Sequence, residues 1–380
     1  MKWSISMGRV WGIPIRMHLT FILLLAWIAW LGWSVDGLRS SLWALALILC
    51  LFACVVLHEL GHSIMAMRFG AHVRSVTLLP IGGVASMRSI PEKPYQELLV
   101  SLAGPSVNLV IALVLMVVRG GYHILGEQSV FPVNVGELVD ALVNANLILA
   151  VFNLIPAFPM DGGRVLRSIL ALFLPFPRAT AVAAVLGQIL AVGFVLVGLT
   201  TNPFLVLIGI FIFFGAESED RTVRVKNMLR DVLVEDVMVT DFVNIGPGDT
   251  VARCLENVYH RKQEDFVVEF EDRLVGVVAR KDWLDALHSD GPQTKIENIM
   301  RRHFITVIPK TPLSRLYQDL WHLKQGVFPV MENRKLVGLL TTEDVSRFLM
   351  VQAIRQNSKA GGVDSPRNAS PSSRFTIDLG

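Results

Sequence analysis

Charge is scarce in this 380-residue chain: Asp, Glu, Lys and Arg make up 18% of it, against about 25% in an average soluble protein. With 52% hydrophobic residues and a mean hydropathy of +0.51, that shortage excludes an ordinary soluble globule. Cysteine is scarcer still. Cys50, Cys54 and Cys254 are too few for a disulfide framework, and the first two lie in an apolar run where packing is their expected role. A net charge of +3 selects no class of partner, and nucleic acid is not expected among them. No small-residue cleavage pattern follows the first apolar run, 19–33, so it reads as a retained span rather than a signal peptide.

What the chain does have is apolar runs. They cover 19–33, 42–69, 98–118, 138–155, 179–199 and a shorter 203–216, which predicts about six membrane spans. Lys2, Arg9 and Arg16 precede the first run, and Arg68, Arg74, Arg88 and Lys93 follow the second. Arg164, Arg167 and Arg178 follow the fourth, and Arg221, Arg224, Lys226 and Arg230 the sixth. The alternate connections carry Arg39, Arg119 or no basic residue, so both termini are expected in the cytosol. Charge becomes dense from Glu217 onward, which predicts a soluble part after the membrane domain.

The chemistry gathers at the end of the second run, in Leu57-His58-Glu59-Leu60-Gly61-His62. On a helix the two histidines lie one turn apart on one face and reach a single metal ion, while Glu59 points toward a water on that ion. An uncompensated Glu in hydrocarbon costs about 2–3 kcal/mol or more, which argues against a chance pattern. Leu42 to Leu57 rises about 24 Å through a core of about 30 Å, which sets His58 near the cytosolic boundary. The fourth run covers a similar rise from Leu138 to Asn153 before Pro156 and Pro159 break it ahead of Asp161-Gly162-Gly163. Broken helix at membrane depth implies burial in protein or a water-lined cavity, and the matching depth makes Asp161 the third ligand candidate. Between the second and third runs, 73–90 is rich in β-formers around a Pro and Gly pair and predicts a hairpin with an open strand edge.

The soluble part repeats itself. Met238 and Met300, Phe242 and Phe304, Pro247 and Pro309, His260 and His322, Phe266 and Phe328, Gly276 and Gly338, and Asp282 and Asp344 are all 62 residues apart. Two copies of one module follow. His260 and His322 lack acidic or Cys companions and read as framework. From Gln356 the composition shifts to Ser, Gly, Asn and Pro, which predicts disorder. The expected organisation is a membrane domain at 1–218, a linker at 219–231, modules at 232–290 and 291–354, and a tail at 355–380.

Four motifs in order resemble the site-2 protease family of intramembrane zinc metalloproteases over about 1–216. They are His58-Glu59-Leu60-Gly61-His62, Pro80-Ile81-Gly82-Gly83-Val84-Ala85, Ala103-Gly104-Pro105-Ser106-Val107-Asn108, and the run from Asn153 through Pro156 and Pro159 to Asp161-Gly162-Gly163. The resemblance implies one Zn2+ held by His58, His62 and Asp161, with Glu59 activating water. It also implies that Asn108, Asn153, Gly82 and Gly83 help hold substrate. Many members place Asn-Pro before the Asp-Gly pair, whereas Pro159-Met160 stand there in this chain. The implied activity is hydrolysis of peptide bonds in or near the transmembrane segments of other membrane proteins, as in regulated intramembrane proteolysis.

The repeat resembles a tandem pair of CBS domains, the nucleotide-sensing module of the cystathionine-β-synthase type, over about 232–352. Gly338-Leu339-Leu340-Thr341-Thr342-Glu343-Asp344 keeps the hydroxyl and acid of that family's signature, which implies Asp344 on the ribose and Thr341 near a phosphate of ATP, ADP or AMP. In Gly276-Val277-Val278-Ala279-Arg280-Lys281-Asp282 the acid remains as Asp282, but Ala279 replaces the hydroxyl, so one competent site is expected rather than two. With none, the pair is a dimerisation module, and a homodimer through it is expected. The fold class is therefore a polytopic α-helical membrane domain of about six transmembrane segments, with a membrane-associated β-hairpin, followed by a soluble α/β tandem CBS pair. Its expected place is the lipid bilayer of a bacterial or archaeal cell membrane, with the CBS pair cytosolic. The alternative is a CBS-regulated transporter or channel using His and Asp as an ion path. That needs polar residues across several spans, whereas here they concentrate at one depth on two.

Overall fold

The chain divides into two units, Met1–Val223 and Arg224–Gly380. The computed structural model describes residues 4–80, 82–87, 93–121, 131–323 and 325–360. The first unit opens on an antiparallel pair, β1 (Ser4–Val10) and β2 (Ile13–His18), which turns at Trp11 and Gly12, both at positive φ. These strands are not among the expected elements, although Ile5 and Met7 in β1 and Ile13, Ile15 and Met17 in β2 alternate with polar residues, Gly or Pro. Helix α1 (Leu19–Arg68) follows directly and is two helices in one, because Asp36 and Gly37 leave the helical range and Gly37 adopts φ +60°. The two arms fold back on each other: the Ser41 hydroxyl donates to the Ala29 carbonyl at 2.9 Å, and the Phe21 and Phe52 rings lie 4.4 Å apart, edge to face.

Strands β3 (Val73–Leu79) and β4 (Gly82–Met87) pair antiparallel, and β3 pairs parallel to β2, giving one sheet in the order β1-β2-β3-β4. Residues 81 and 88–90 of the expected hairpin lie outside the described residues. The sheet is anchored on the motif-bearing arm of α1. Ile13 and Val76 pack with Leu60, the residue between Glu59 and Gly61, and Leu78 packs with Phe21 and Phe52. Burying an aliphatic side chain of this size contributes about 1.5–3 kcal/mol, so the motif's own Leu helps fix the sheet against it.

Helices α2 (Pro94–Arg119), α3 (Val135–Asn153), α4 (Asp161–Leu170), α5 (Phe176–Thr200) and α6 (Pro203–Met228) complete the unit. Among the described residues four helices, α1, α2, α3 and α5, are long and apolar enough to cross a membrane. Helix α6 does not stop where its apolar half ends. The segment 219–231, expected as a linker, is helical through Met228, and Glu219 has a buried partner in Arg167, 2.7 Å away.

The second unit repeats one pattern. Short strand β5 (Asn244–Ile245), helix α7 (Val251–Arg261), strands β6 (Phe266–Phe270) and β7 (Arg273–Val278) and helix α8 (Arg280–Ser289) form the first copy. After α9 (Ile296–Ile299), helix α10 (Leu313–His322), strands β8 (Val327–Glu332) and β9 (Lys335–Thr341) and helix α11 (Thr342–Ala360) form the second. Even the hairpin turns match: Glu271 and Asp272, and Asn333 and Arg334, are left-handed, as a two-residue turn between twisted strands demands. Strand alternation divides the side chains. Phe266, Val268 and Val278 pack with Trp283 inside the first copy, whereas Val267 and Val277 meet Val327 and Leu339 across the pair. Cys254 belongs to the first of these cores; burial pushes its thiol up to about 12, so it stays protonated and serves packing. Helix α11 extends to Ala360, and 361–380 of the expected tail lie outside the described residues.

Candidate metal centre

The second arm of α1 carries His58 and His62 on its buried face, 6% and 7% exposed. Their Nε2 atoms are 3.1 Å apart, and Asp161 Oδ2 lies 3.3 Å from the first and 3.0 Å from the second. Asp161 is the first residue of α4, delivered by the turn that follows the end of α3 at Asn153. Three donors converge from sequence positions about a hundred residues apart.

The donor set fits a zinc ion. Ligand atoms bound tetrahedrally at about 2.0–2.1 Å are about 3.3–3.4 Å from one another, close to the observed edges. The tautomer is also right. His62 Nδ1 is 2.7 Å from the Val100 carbonyl, which can only accept, so Nδ1 carries the proton and Nε2 offers its lone pair to the site. His58 Nδ1 is buried with no hydrogen-bond partner among the described residues.

Helix α2 closes the floor of the site at Gly104. A Cβ there would stand 2.6 Å from His62 Cε1 and 2.7 Å from His58 Cε1, so only glycine lets the helix backbone lie against both rings. Val100, whose carbonyl orients His62, is one turn earlier on the same helix. Glu59 is half-buried beside His58 on α1, and β4 runs past it: a Cβ on Gly83 would stand 2.7 Å from Glu59 Cγ. Strand β4 ends the sheet order, so its far edge is unpaired among the described residues.

The remaining expected residues fall less closely together. Asn108 is buried one turn beyond Gly104, and its Oδ1 has no partner among the described residues. Asn153 is half-buried at the end of α3, and among the described residues neither Asn hydrogen-bonds to His58, His62 or Asp161. In the second unit the Asp344 carboxylate accepts from the Thr341 hydroxyl at 2.6 Å and the Thr341 amide at 3.2 Å. Asp282 accepts from the Ala279 amide at 3.1 Å and pairs with Arg301 at 2.6 Å.

One group of residues went unread in the sequence. Arg167 on α4 is 2% exposed; its Nε donates to Glu97 Oε1 of α2 at 3.0 Å and its Nη1 to Glu219 of α6. Its guanidinium also sits over the rings of Phe158 and Phe176, at 5.0 and 4.8 Å. The cluster joins the helix that begins with Asp161 to the helix that carries Gly104. Its only signal was Glu97 at the head of an apolar run; Arg167 served merely as a topogenic charge.

Residues 46–125 and 120–197 match the family model of peptidase family M50, and residues 234–289 and 296–351 each match that of the CBS domain. The chain is 34% identical to the zinc metalloprotease MJ0392 of Methanocaldococcus jannaschii, over 94% of this chain and all of the relative. It is 31% identical to a Synechocystis protein, sll0528, named as a candidate zinc metalloprotease, over 92% of this chain and 96% of that one. A solved site-2 protease from Methanocaldococcus jannaschii matches with 42% identity and a TM-score of 0.43, covering 58% of this chain and 96% of that chain. With identity of this level sustained end to end, the chain belongs to peptidase family M50, the membrane-embedded site-2 type of zinc metalloprotease, and carries a tandem CBS pair after its protease domain.

Proposed function

We propose that the protein cleaves peptide bonds in or near the transmembrane segments of other membrane proteins at a centre formed by His58, His62, Asp161 and Glu59. The observation that carries this reading is the convergence of His58 Nε2, His62 Nε2 and Asp161 Oδ2 within 3.0–3.3 Å of one another on elements of an apolar unit. His58, His62 and Asp161 would hold the zinc, which when bound polarises the scissile carbonyl and lowers the pKa of a water toward about 7. Glu59 takes a proton from the attacking water and returns it to the departing amine. Gly104 and the Val100 carbonyl keep both imidazoles in place and His62 in the required tautomer. A helical substrate hides its carbonyls in its own hydrogen bonds. The unpaired edge of β4, which begins at Gly82 and passes Glu59 at Gly83, suits a substrate segment that has unwound and adds as a strand, with Asn108 and Asn153 holding its backbone.

The topology in this reading has about six spans: the two arms of α1, then α2, α3, α5 and the apolar half of α6. The basic residues around them keep both termini and the CBS pair on the cytosolic side. The CBS pair binds an adenine nucleotide at Thr341 and Asp344 and regulates access to the centre, with self-association through the pair as the arrangement that suits a tandem module. The transport reading gains nothing from the site, since its donors meet at one point rather than forming a path.

Two measurements, of metal dependence and of the packing around the site, test this reading. Purified full-length protein is expected to cut a single-span membrane protein in detergent or liposomes, to lose that activity on treatment with 1,10-phenanthroline, and to regain it with added zinc. Activity that survives chelation, with zinc shown to be gone by elemental analysis, would reject the assignment. Gly104→Ala is expected to lose most of the bound zinc, because the new methyl collides with both rings; a variant with one zinc per chain would show that α2 has room to move.

A further inference from the structure

The two CBS copies are not equivalent where it matters for a ligand. The proposed nucleotide site of each copy is the turn that opens its second helix, carrying an acid and, three residues earlier, a hydroxyl position. In the second copy these are Asp344 and Thr341. The carboxylate bonds within its own turn, and its other oxygen faces Arg347 at 3.8 Å, whose side chain is 68% exposed. The strand crossing beside that turn is Val239, whose amide and carbonyl exchange hydrogen bonds with Leu339 at 2.8 and 2.9 Å. Val239 brings no charge and leaves an apolar side chain 38% exposed.

In the first copy each of these positions is met by a residue of the second. Position 301, the match of 239 at the 62-residue offset, is Arg. Its backbone makes the same exchange, with Val277 at 2.9 and 3.1 Å, so Arg301 is fixed beside the turn. Its Nη2 donates to Asp282 Oδ1 at 2.6 Å, while Oδ2 accepts from the Ala279 amide. Oδ1 thereby carries a short charge-assisted bond from a guanidinium, on the acid that a ribose diol would need as its acceptor, whereas the corresponding cation at Asp344 stands off at 3.8 Å. The hydroxyl position is Ala279, and the other copy packs onto its methyl. A Cβ on Gly326, which sits at φ +84°, would lie 2.8 Å from Ala279 Cβ.

We propose that Arg301 is an internal occupant of the Asp282 site, so that the CBS pair takes one adenine nucleotide per chain, at Asp344. This inference rests on the nucleotide reading given above and adds which half is open and what closes the other. The chemistry at Asp344, an acid, a hydroxyl and an exposed aliphatic side chain, suits a nucleoside's ribose, phosphate and base in turn. At Asp282 a guanidinium already stands on the acid.

The test is stoichiometry on the purified full-length protein, by equilibrium dialysis with radiolabelled AMP and, separately, ATP. The wild type is expected to bind one nucleotide per chain, and Asp344→Ala to bind at least tenfold more weakly. Ala279→Thr/Arg301→Val, which gives the Asp282 site the residues found at the Asp344 site, is expected to bind two. Two nucleotides on the wild type, undiminished binding by Asp344→Ala, or one nucleotide on a folded Ala279→Thr/Arg301→Val protein would each overturn the inference. Should that double variant not fold, the wild-type count and Asp344→Ala decide it alone. No binding by wild type or variants would end the nucleotide reading and this inference with it, whereas two sites on the wild type would end only the inference.

Discussion

Glu59→Gln is expected to keep its zinc and lose cleavage by about 10²–10⁴-fold, the usual contribution of a positioned general base. Glu59 is not one of the three converging donors, so replacing its carboxylate leaves His58, His62 and Asp161 intact. Gln has the same length and fits the narrow space beside Gly83, where Glu59 Cγ already lies close to the strand. What it lacks is the ability to accept a proton from water and pass it on. Zinc content and the rate of cutting a single-span protein, measured on one preparation, separate the two roles. A variant that cuts at the wild-type rate removes Glu59 from the chemistry. A variant that has lost both zinc and activity shows that Glu59 supports the metal instead.

Arg167→Met is expected to destabilise the protein by about 3–5 kcal/mol, the range for removing one partner from a buried ion pair. Glu97 is 0% exposed, and without the guanidinium its carboxylate is left without its partner in a protein interior. The size of the effect comes from that orphaned acid rather than from the pair's attraction, since a buried pair and a well-packed apolar replacement are often close in stability. The double variant Arg167→Met/Glu97→Gln should therefore recover a large part of the loss. Thermal unfolding in detergent, followed for wild type and both variants, measures this. A single variant as stable as wild type would mean that water reaches the cluster. Because α4 begins with Asp161 and is tied through Arg167 to α2, the single variant should also bind zinc less tightly.

The parts of the site legible in the sequence are those set by chain periodicity. A spacing of four on a helix places His58 and His62 on one face whatever surrounds them. Asp161 was reachable because two apolar runs of similar rise set a common depth, and the CBS copies because an exact offset of 62 survives in their landmarks. The rest depends on pairings that leave no local mark. Val100 orients His62 with a backbone carbonyl, an atom every residue has. Strands β1 and β2 do alternate, with Ile5 and Met7 set among Ser4, Ser6 and Gly8, and Ile13, Ile15 and Met17 set against Pro14, Arg16 and His18. The runs are short, however, and lie among Gly8, Arg9, Gly12 and Arg16; β1 is almost wholly exposed, and β2 is fixed by Ile13 packing on Val76, far along the chain. Glu97, Arg167 and Glu219 come from three separate stretches, and each alone reads as a flanking charge. At the linker the change in composition at Glu217 was real, but Glu, Arg and Lys are good helix formers, so α6 passes through it.

The account stands most directly on which atoms hold the zinc, and the zinc K-edge X-ray absorption spectrum of the purified full-length protein reads that shell. Two imidazole nitrogens and carboxylate or water oxygens at about 2.0–2.1 Å, with no sulfur, are the expected result for His58, His62 and Asp161. A sulfur shell at about 2.3 Å, as Cys50 or Cys54 would give, or a single imidazole, would contradict it.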